Sequence, residues 1–410
     1  MSRSISRFAG MHQLWSILFA SCGVSRSRRP RSNLTDVSTF FDSTEYSERI
    51  SRAASLADEL GISALLVTPG PDLRYLTGYN ATGLERLTCL VIPANGDVNL
   101  VVPELEVGTA IASPIGNLGI GVESWQETED PYALTAKLVG PLADDSKVAV
   151  DDRMWAVKAI ELRKALPLTE QIAAGVVLSE LRMRKSPAEI QHLKAAGAAI
   201  DRVHAGVPQW LAAGRTEREV ARDIADAIAQ EHETVDFVIV AGGPNGASPH
   251  HEASDRVLAQ GDVVVVDIGG TTAAGYCSDS TRTYALGEPT ASFAADYAVL
   301  EHAQSAACRA VAPGVTCEGI DSIARQLLAE AGLGELFIHR TGHGIGLETH
   351  EEPYIVSGNT RQLEPGMAFS VEPGFYRAGD AGARIEDIVI CGTDGPITCN
   401  SRPHGLLVID

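Results

Sequence analysis

The sequence predicts an α/β (α+β) chain in two domains, a smaller one over residues 41–172 and a larger one over 173–410. Three observations predict it. At 410 residues the chain exceeds what one ordinary hydrophobic core supports. Up to about residue 151, short β-branched runs alternate with amphipathic stretches, the pattern of a sheet covered by helices. Beyond that point the order helix, helix, acid-bearing hairpin occurs twice, a weak twofold echo without any short-period repeat.

Residues 1–40 stand apart. MSRSISRFAGMHQLWSILFASCGVSRSRRPRSNLT is rich in arginine and lacks acids, and its apolar run LWSILFA is too short to span a bilayer. It reads as a disordered basic leader, with a cleaved or targeting segment as the alternative. From Tyr46 the pattern becomes regular. SERISRAASLADELG places apolar residues at helical spacing and stops at Gly61, a good C-cap. ISALLVT, LTCLVIP and NLVVPELE read as strands, the third running into a helix, and LGIGVES and KVAVD complete the alternation. A helix around Met154–Leu166 and an extended piece, QIAAGVVL, lead into the second domain.

There, in RMRKSPAEIQHLKAA, Ser186, Pro187 and Glu189 occupy N-cap, N1 and N3, a capping box with proline at its favoured position. A long helix therefore starts near Pro187. Further helices are expected over about 216–231, 290–311 and 317–331, followed by strands and Gly-rich turns.

The hairpins carry the chemistry. In DVVVVDIGGTTAAGYCSDSTRT (262–283) four valines run into Asp267, and Asp279 follows a turn centred near Ala273. Such a run belongs to a strand buried on both faces, where a carboxylate is costly unless it is paired or holds a metal. Pairing about that turn would set Asp267 opposite Asp279 on one face. FSVEPGFYRAGDAGARIEDIVI repeats the arrangement with Glu372 and Glu386 about Gly379. Four converging carboxylates repel strongly in a low dielectric, so either most are protonated or divalent cations sit among them. Between the hairpins, HRTGHGIGLETHEEP carries His339, His343 and His350 among glycines that permit close backbone approach. His339 reads as an ordinary hydrogen-bonded histidine. The segment is not H-E-x-x-H, and carboxylates with one imidazole suit Mn²⁺, Co²⁺ or Zn²⁺ rather than a thiolate site.

Composition narrows the function classes. Asp+Glu number 53 against Lys+Arg 33, a balance that disfavours a nucleic-acid partner and fits a solvated acidic surface. The seven cysteines are scattered without a C-x-x-C pair, which points to buried reduced thiols and a cytoplasmic protein rather than a disulfide framework or zinc knuckle. No stretch approaches a transmembrane helix.

At the hairpin and histidine motifs the sequence resembles metallopeptidase family M24, the Xaa-Pro dipeptidases (prolidases) and Xaa-Pro aminopeptidases, from about residue 45 to the C-terminus. The family pattern is Asp in D-x-G, Asp in S-D-x-T-R, His in G-H-G-x-G, Glu in x-E-P-G and Glu in R-x-E-D. It falls on Asp267, Asp279, His343, Glu372 and Glu386. The resemblance implies a creatinase-like N-terminal α/β domain followed by a pita-bread catalytic domain of two αα-ββ halves related by a pseudo-twofold. It implies two divalent ions per subunit, Mn²⁺ before Co²⁺ or Zn²⁺. Asp267 would hold one, His343 and Glu372 the other, and Asp279 and Glu386 would bridge them.

The same resemblance makes Glu372 the proton shuttle. It gives His250 in PHHEASDR, and His350, to the substrate carbonyl or tetrahedral intermediate. Arg384 and Arg282 would support the ligands, by orienting Glu386 or pairing with carboxylates. The implied enzyme is a homodimeric metallo-exopeptidase acting on proline-containing dipeptides or short peptides, without a nucleic-acid or membrane partner. GHGIGLETHE looks more like the prolidase version, which favours a dipeptidase over an Xaa-Pro aminopeptidase acting on longer peptides. A creatinase-like, metal-independent amidinohydrolase is the lesser alternative, expected to lack the ligand set. Methionine aminopeptidase is disfavoured by the large N-terminal domain, and a non-catalytic binding module by the intact ligands.

Overall fold

The structure is a computed structural model that describes residues 40–410; apart from Phe40, the leader expected over 1–40 lies outside the described residues. Helix α1 (Ser43–Glu59) starts where Asp42 accepts the Thr44 N–H at 2.8 Å, and it buries Tyr46, Ile50, Ala53 and Ala57. It leads into β1 (Ile62–Val67), α2 (Pro71–Thr77), β2 (Cys89–Pro93), β3 (Asn99–Pro103) and α3 (Val107–Ala112). Then come β4 (Gly121–Trp125), α4 (Pro131–Val139), β5 (Lys147–Val150), α5 (Ala156–Ala165), β6 (Glu170–Ala173) and α6 (Gly175–Met183).

The six strands form one sheet in the order β4-β3-β2-β1-β5-β6. The alternation read from sequence is broken once, because β2 and β3 are joined by a connection too short for a crossover and pair antiparallel. Two helices, α2 and α4, lie outside the sequence expectation, although each opens on a proline at its first turn, behind Gly70 and Asp130 respectively. The extended reading of QIAAGVVL holds only to Ala173. From Gly175 the chain is helical, because Val177, Leu178 and Leu181 pack into the core beneath the sheet.

The second part opens on α7 (Pro187–Trp210) with both bonds of the expected capping box. A second box, Thr216 with Glu219, starts α8 (Glu217–Glu231). Three antiparallel strands follow, β7 (Thr234–Gly242), β8 (Val263–Thr271) and β9 (Cys277–Leu286). The second half runs α9 (Ala291–Arg309), α10 (Cys317–Glu330), β10 (Gly342–Gly344), β11 (Glu351–Ile355) and β12 (Ala368–Val371). It continues through β13 (Gly374–Arg377), β14 (Ala381–Arg384), β15 (Asp387–Gly392) and β16 (Gly395–Thr398), and β17 (Leu407–Ile409) returns beside β9.

The twofold echo is thus two packed units. Ile200, Val207, Val220 and Ile224 of α7 and α8 close over Val264, Val266 and Ile268; Ala307, Ile320 and Ala324 of α9 and α10 close over Phe369, Val371 and Val389. Strand alternation does the rest. With Val264, Val266 and Ile268 given to the helices, Asp267 must point to the other face.

His204 of α7 is fully buried beneath β9, its Nδ1 3.0 Å from the Tyr284 hydroxyl and its Nε2 3.0 Å from the Ser280 carbonyl. Burial first, and the Arg282 charge second, push its pKa down to about 3. Between that value and the ordinary 6.5 the unfolded chain binds a proton the folded one refuses, so stability falls as pH falls through this window. His204→Gln is expected to flatten the loss of urea midpoint between pH 6.5 and 4 relative to wild type. Parallel slopes would show that other groups set the acid limb.

Among the described residues no helix is long and apolar enough to cross a membrane. The six described cysteines are all buried and free, and Cys22 lies outside the described residues.

Candidate active site

The first hairpin differs from its sequence reading by one step of register. Asp267 faces Thr281, and Asp279 faces Gly269, so the two acids are diagonal neighbours on one face rather than directly opposite. The turn is centred on Ala274, not Ala273, because Gly275 supplies the positive φ (+94°) and its N–H closes onto the Thr272 carbonyl at 2.7 Å. Arg74 of α2 donates to the Ala273 carbonyl at 2.9 Å, fastening this turn to the first sheet's helices. In the second hairpin β12 and β15 pair Val371 with Asp387, and β13 and β14 pair Gly374 with Arg384. Glu372 and Glu386 therefore lie level about Gly379, as read.

Thr281 and Glu386 stitch the two hairpins together. Their backbones form an antiparallel bridge, with Glu386 N–H on the Thr281 carbonyl at 3.1 Å, and the Thr281 hydroxyl donates to Glu386 Oε2 at 2.7 Å. Into this seam β10 brings His343. A Cβ on either flanking glycine would collide with neighbouring backbone, Gly342 with the Ser370 carbonyl at 1.8 Å and Gly344 with the Glu352 carbonyl at 2.3 Å. Only G-H-G passes here.

One ligand atom each from Asp279, His343 and Glu386 lies within 4.8 Å of the others. His343 Nε2 is 3.6 Å from Asp279 Oδ2 and 3.3 Å from Glu372 Oε1. These residues, with Asp267, His250, His350 and Arg384, line one cavity of about 700 Å³. Asp267, Asp279, His343 and Glu386 are buried, Glu372 is half-buried, and His250 and His350 are exposed on its wall. His350 packs edge-on to His343 at 4.1 Å between ring centres.

The electrostatics are those of a cation site. Burial, then Glu386, Asp267 and Glu372, push the Asp279 carboxyl well above its usual range. Burial, then Glu372 and Asp267, do the same to Glu386. Burial raises Glu372 to about 7 against the pull of Arg384, and burial with His350 lowers His343 to about 3. His343 is therefore neutral. Its Nδ1 meets the Gly344 carbonyl at 3.1 Å and must carry the proton, so the Nε2 lone pair faces two carboxylates. Asp267 Oδ1 and Glu386 Oε1 are buried with no hydrogen-bond partner. Lone pairs gathered without donors fit divalent cations, and the oxygen-rich set with one imidazole fits their chemistry.

Supporting contacts fix this set. Arg384 is buried, donates to Asp267 Oδ2 at 2.5 Å, the Tyr376 hydroxyl at 2.8 Å and Thr281 Oγ1 at 3.2 Å, and so serves Asp267 rather than Glu386 directly. Arg282 donates to the Glu386 carbonyl and to Asp387 Oδ1, each at 2.7 Å. Ser370 Oγ accepts the His343 N–H at 3.0 Å and donates to Glu372 Oε1 at 3.1 Å. His339 is hydrogen-bonded, to the Arg340 carbonyl and the Tyr376 hydroxyl, and also lines the cavity.

Sequence reasoning missed Thr281, Ser370, Tyr376 and Arg340. Thr281 and Ser370 stood two residues from a named acid on the same strand face, a signal that alternation alone supplies. Arg340 lines the cavity with its guanidinium 4.5 Å above the Tyr354 ring, and no carboxylate among the described residues lies within ion-pair distance of it.

Residues 191–393 match the profile of metallopeptidase family M24, and residues 49–184 that of the Creatinase/Prolidase N-terminal domain. The chain is 52% identical over 372 residues to the probable dipeptidase PepE of Mycobacterium tuberculosis (strain H37Rv), covering 90% of this chain and 98% of that protein. It is 36% identical over 352 residues to the Xaa-Pro dipeptidase of Lactobacillus helveticus, covering 82% and 92%. The crystal structure of dipeptidase PepE from Mycobacterium ulcerans superposes with a TM-score of 0.86 at 51% identity, over 90% of this chain and 99% of that one.

Proposed function

This chain belongs to metallopeptidase family M24, and from that premise we propose that it hydrolyses the Xaa-Pro bond of dipeptides with two divalent cations held by Asp267, Asp279, His343, Glu372 and Glu386. The observation that carries the proposal is the convergence of one ligand atom each from Asp279, His343 and Glu386 within 4.8 Å, beside the buried, unpartnered Asp267 Oδ1 and Glu386 Oε1. The ligand set favours Mn²⁺. When bound, such cations acidify a water and polarise the scissile carbonyl.

The chain's own groups do the remaining work. Arg384 holds Asp267, and Thr281 holds Glu386, so two of the ligands are orientated before any cation arrives. Glu372 reaches half-buried into the cavity with one oxygen steadied by Ser370, a position from which it carries a proton towards the leaving nitrogen. His250 and His350, exposed on the wall, donate to the carbonyl oxygen of the peptide. Proline's nitrogen carries no hydrogen and its ring fixes φ, so a cavity shaped for that tertiary amide selects it. The similarity to a probable dipeptidase and to an Xaa-Pro dipeptidase supports the same substrate class.

Arg340 favours the dipeptidase reading over the aminopeptidase one. Arg384 is committed to Asp267, whereas Arg340 faces the cavity without an acid partner among the described residues. A dipeptide's free carboxylate supplies that partner. Arg340→Met is expected to raise KM for Xaa-Pro by about tenfold or more, the worth of a charge-assisted hydrogen bond, and to leave the neutral Xaa-Pro-amide unchanged. Equal losses on both would remove Arg340 from carboxylate recognition.

The test of the function is a peptide panel on protein stripped by chelator and reloaded with Mn²⁺. Stripped protein is expected to be inactive. Reloaded protein should cleave Xaa-Pro ahead of Xaa-Pro-Yaa and leave Xaa-Ala intact. Cleavage without metal, or of Xaa-Ala as readily as Xaa-Pro, would overturn the reading.

A further inference from the structure

His250 lies in residues 243–254, an irregular segment after β7 whose only regular piece is a short 3₁₀ turn at Gly243–Ala247. An exposed imidazole on such a segment needs anchoring to act on a substrate. The anchor is Glu217. This residue, in the first turn of α8, is fully buried, and its carboxylate gathers donors from the whole segment. Oε1 accepts the Gly242 N–H at 2.9 Å and Asn245 Nδ2 at 3.0 Å. Oε2 accepts the Ser254 N–H at 3.0 Å and hydroxyl at 2.6 Å, and His251 Nε2 lies 2.8 Å away. Both ends and the middle of the segment thus converge on one buried acid. Burial raises its pKa, but these donors outweigh burial and hold the carboxyl below its usual range, so it stays ionised.

Two adjacent histidines divide the labour. His250 lines the active-site cavity, and His251 turns the other way onto Glu217. The carbonyl of Pro249 accepts both terminal nitrogens of Arg384 at 3.3 Å, so the same segment also touches the partner of Asp267.

We propose that Glu217 and His251 are positioning residues that act on catalysis through His250, by clamping the segment that presents it. This rests on the reading that His250 contacts the substrate. His251→Ala is expected to lower kcat about tenfold with KM and metal content little changed. His251→Gln, whose Nε2 can donate from nearly the same place, is expected to restore most of the loss. In a His250→Ala background, His251→Ala is expected to add no further loss, because the route runs through the missing imidazole. Independently of activity, Glu217→Gln is expected to speed amide exchange across residues 242–254 while α8 stays protected.

Losses that multiply in the double variant, wild-type kcat in His251→Ala, or unchanged exchange in Glu217→Gln would each overturn the proposal. Failure of the substrate reading is told apart, because the cycle is read on whichever peptide the wild-type enzyme cleaves. Wild-type activity in His250→Ala would overturn both the role of His250 and this proposal.

Discussion

Asp279→Ala is expected to be more stable than wild type without metal and nearly inactive with it. Burial and the neighbouring Glu386 raise the Asp279 carboxyl, so the folded metal-free protein binds a proton that the unfolded chain releases. Stability of the metal-free protein therefore falls as pH rises above the ordinary carboxylate value of 3.8, and deleting the acid removes that penalty. With metal present the sign reverses. The variant lacks one corner of the Asp279–His343–Glu386 triangle, so it should bind fewer cations, gain less stability on Mn²⁺ addition, and lose more than about a thousandfold in kcat. Metal content and urea midpoints with and without Mn²⁺ check all three. A variant as active as wild type with a full metal complement would remove Asp279 from the ligand set.

The second large effect is expected far from the ligands. Arg182 of α6 is buried and donates to Asp72 of α2 at 2.7 Å, pairs with Glu348 at 2.7 Å, and donates to Glu351 of β11, which also receives Lys185. This network ties the helices under the first sheet to the strand that starts beside His350. Arg182→Met strips buried Asp72 of its cationic partner, while Glu351 keeps Lys185 and Glu348 keeps Arg153, and the expected cost is about 3–5 kcal/mol of unfolding free energy. Lys164→Ala, which breaks the exposed pair with Glu161, is the control and should cost under about 1 kcal/mol. Denaturant midpoints decide it. A loss in Arg182→Met no larger than the control's would mean that the network contributes little to holding the two parts together.

What the sequence disclosed follows from how local each feature is. The long helix from Pro187 was legible because Ser186 and Glu189 form both bonds of its capping box within four residues. The level placement of Glu372 and Glu386 was legible because Gly379, at φ +76°, marks the turn. The first hairpin slipped because GGTTAAG offers several glycines, and only the close contact of Gly275 with Arg74 across the fold picks one. Strand β7 was unread, since its exposed start, Thr-Val-Asp, looks like a loop until it pairs with β8. Glu217 resembled any first-turn acid on an amphipathic helix. Its burial depends on donors up to thirty-seven residues away, which no window of sequence displays.

The central claim is that the carboxylates of the two hairpins tolerate one another because divalent cations lie among them. Anomalous diffraction from crystals grown in excess Mn²⁺ tests it most directly. Two manganese peaks bounded by Asp267, Asp279, His343, Glu372 and Glu386 are expected. An empty pocket at full manganese concentration, with the acid side chains rotated apart, would contradict it.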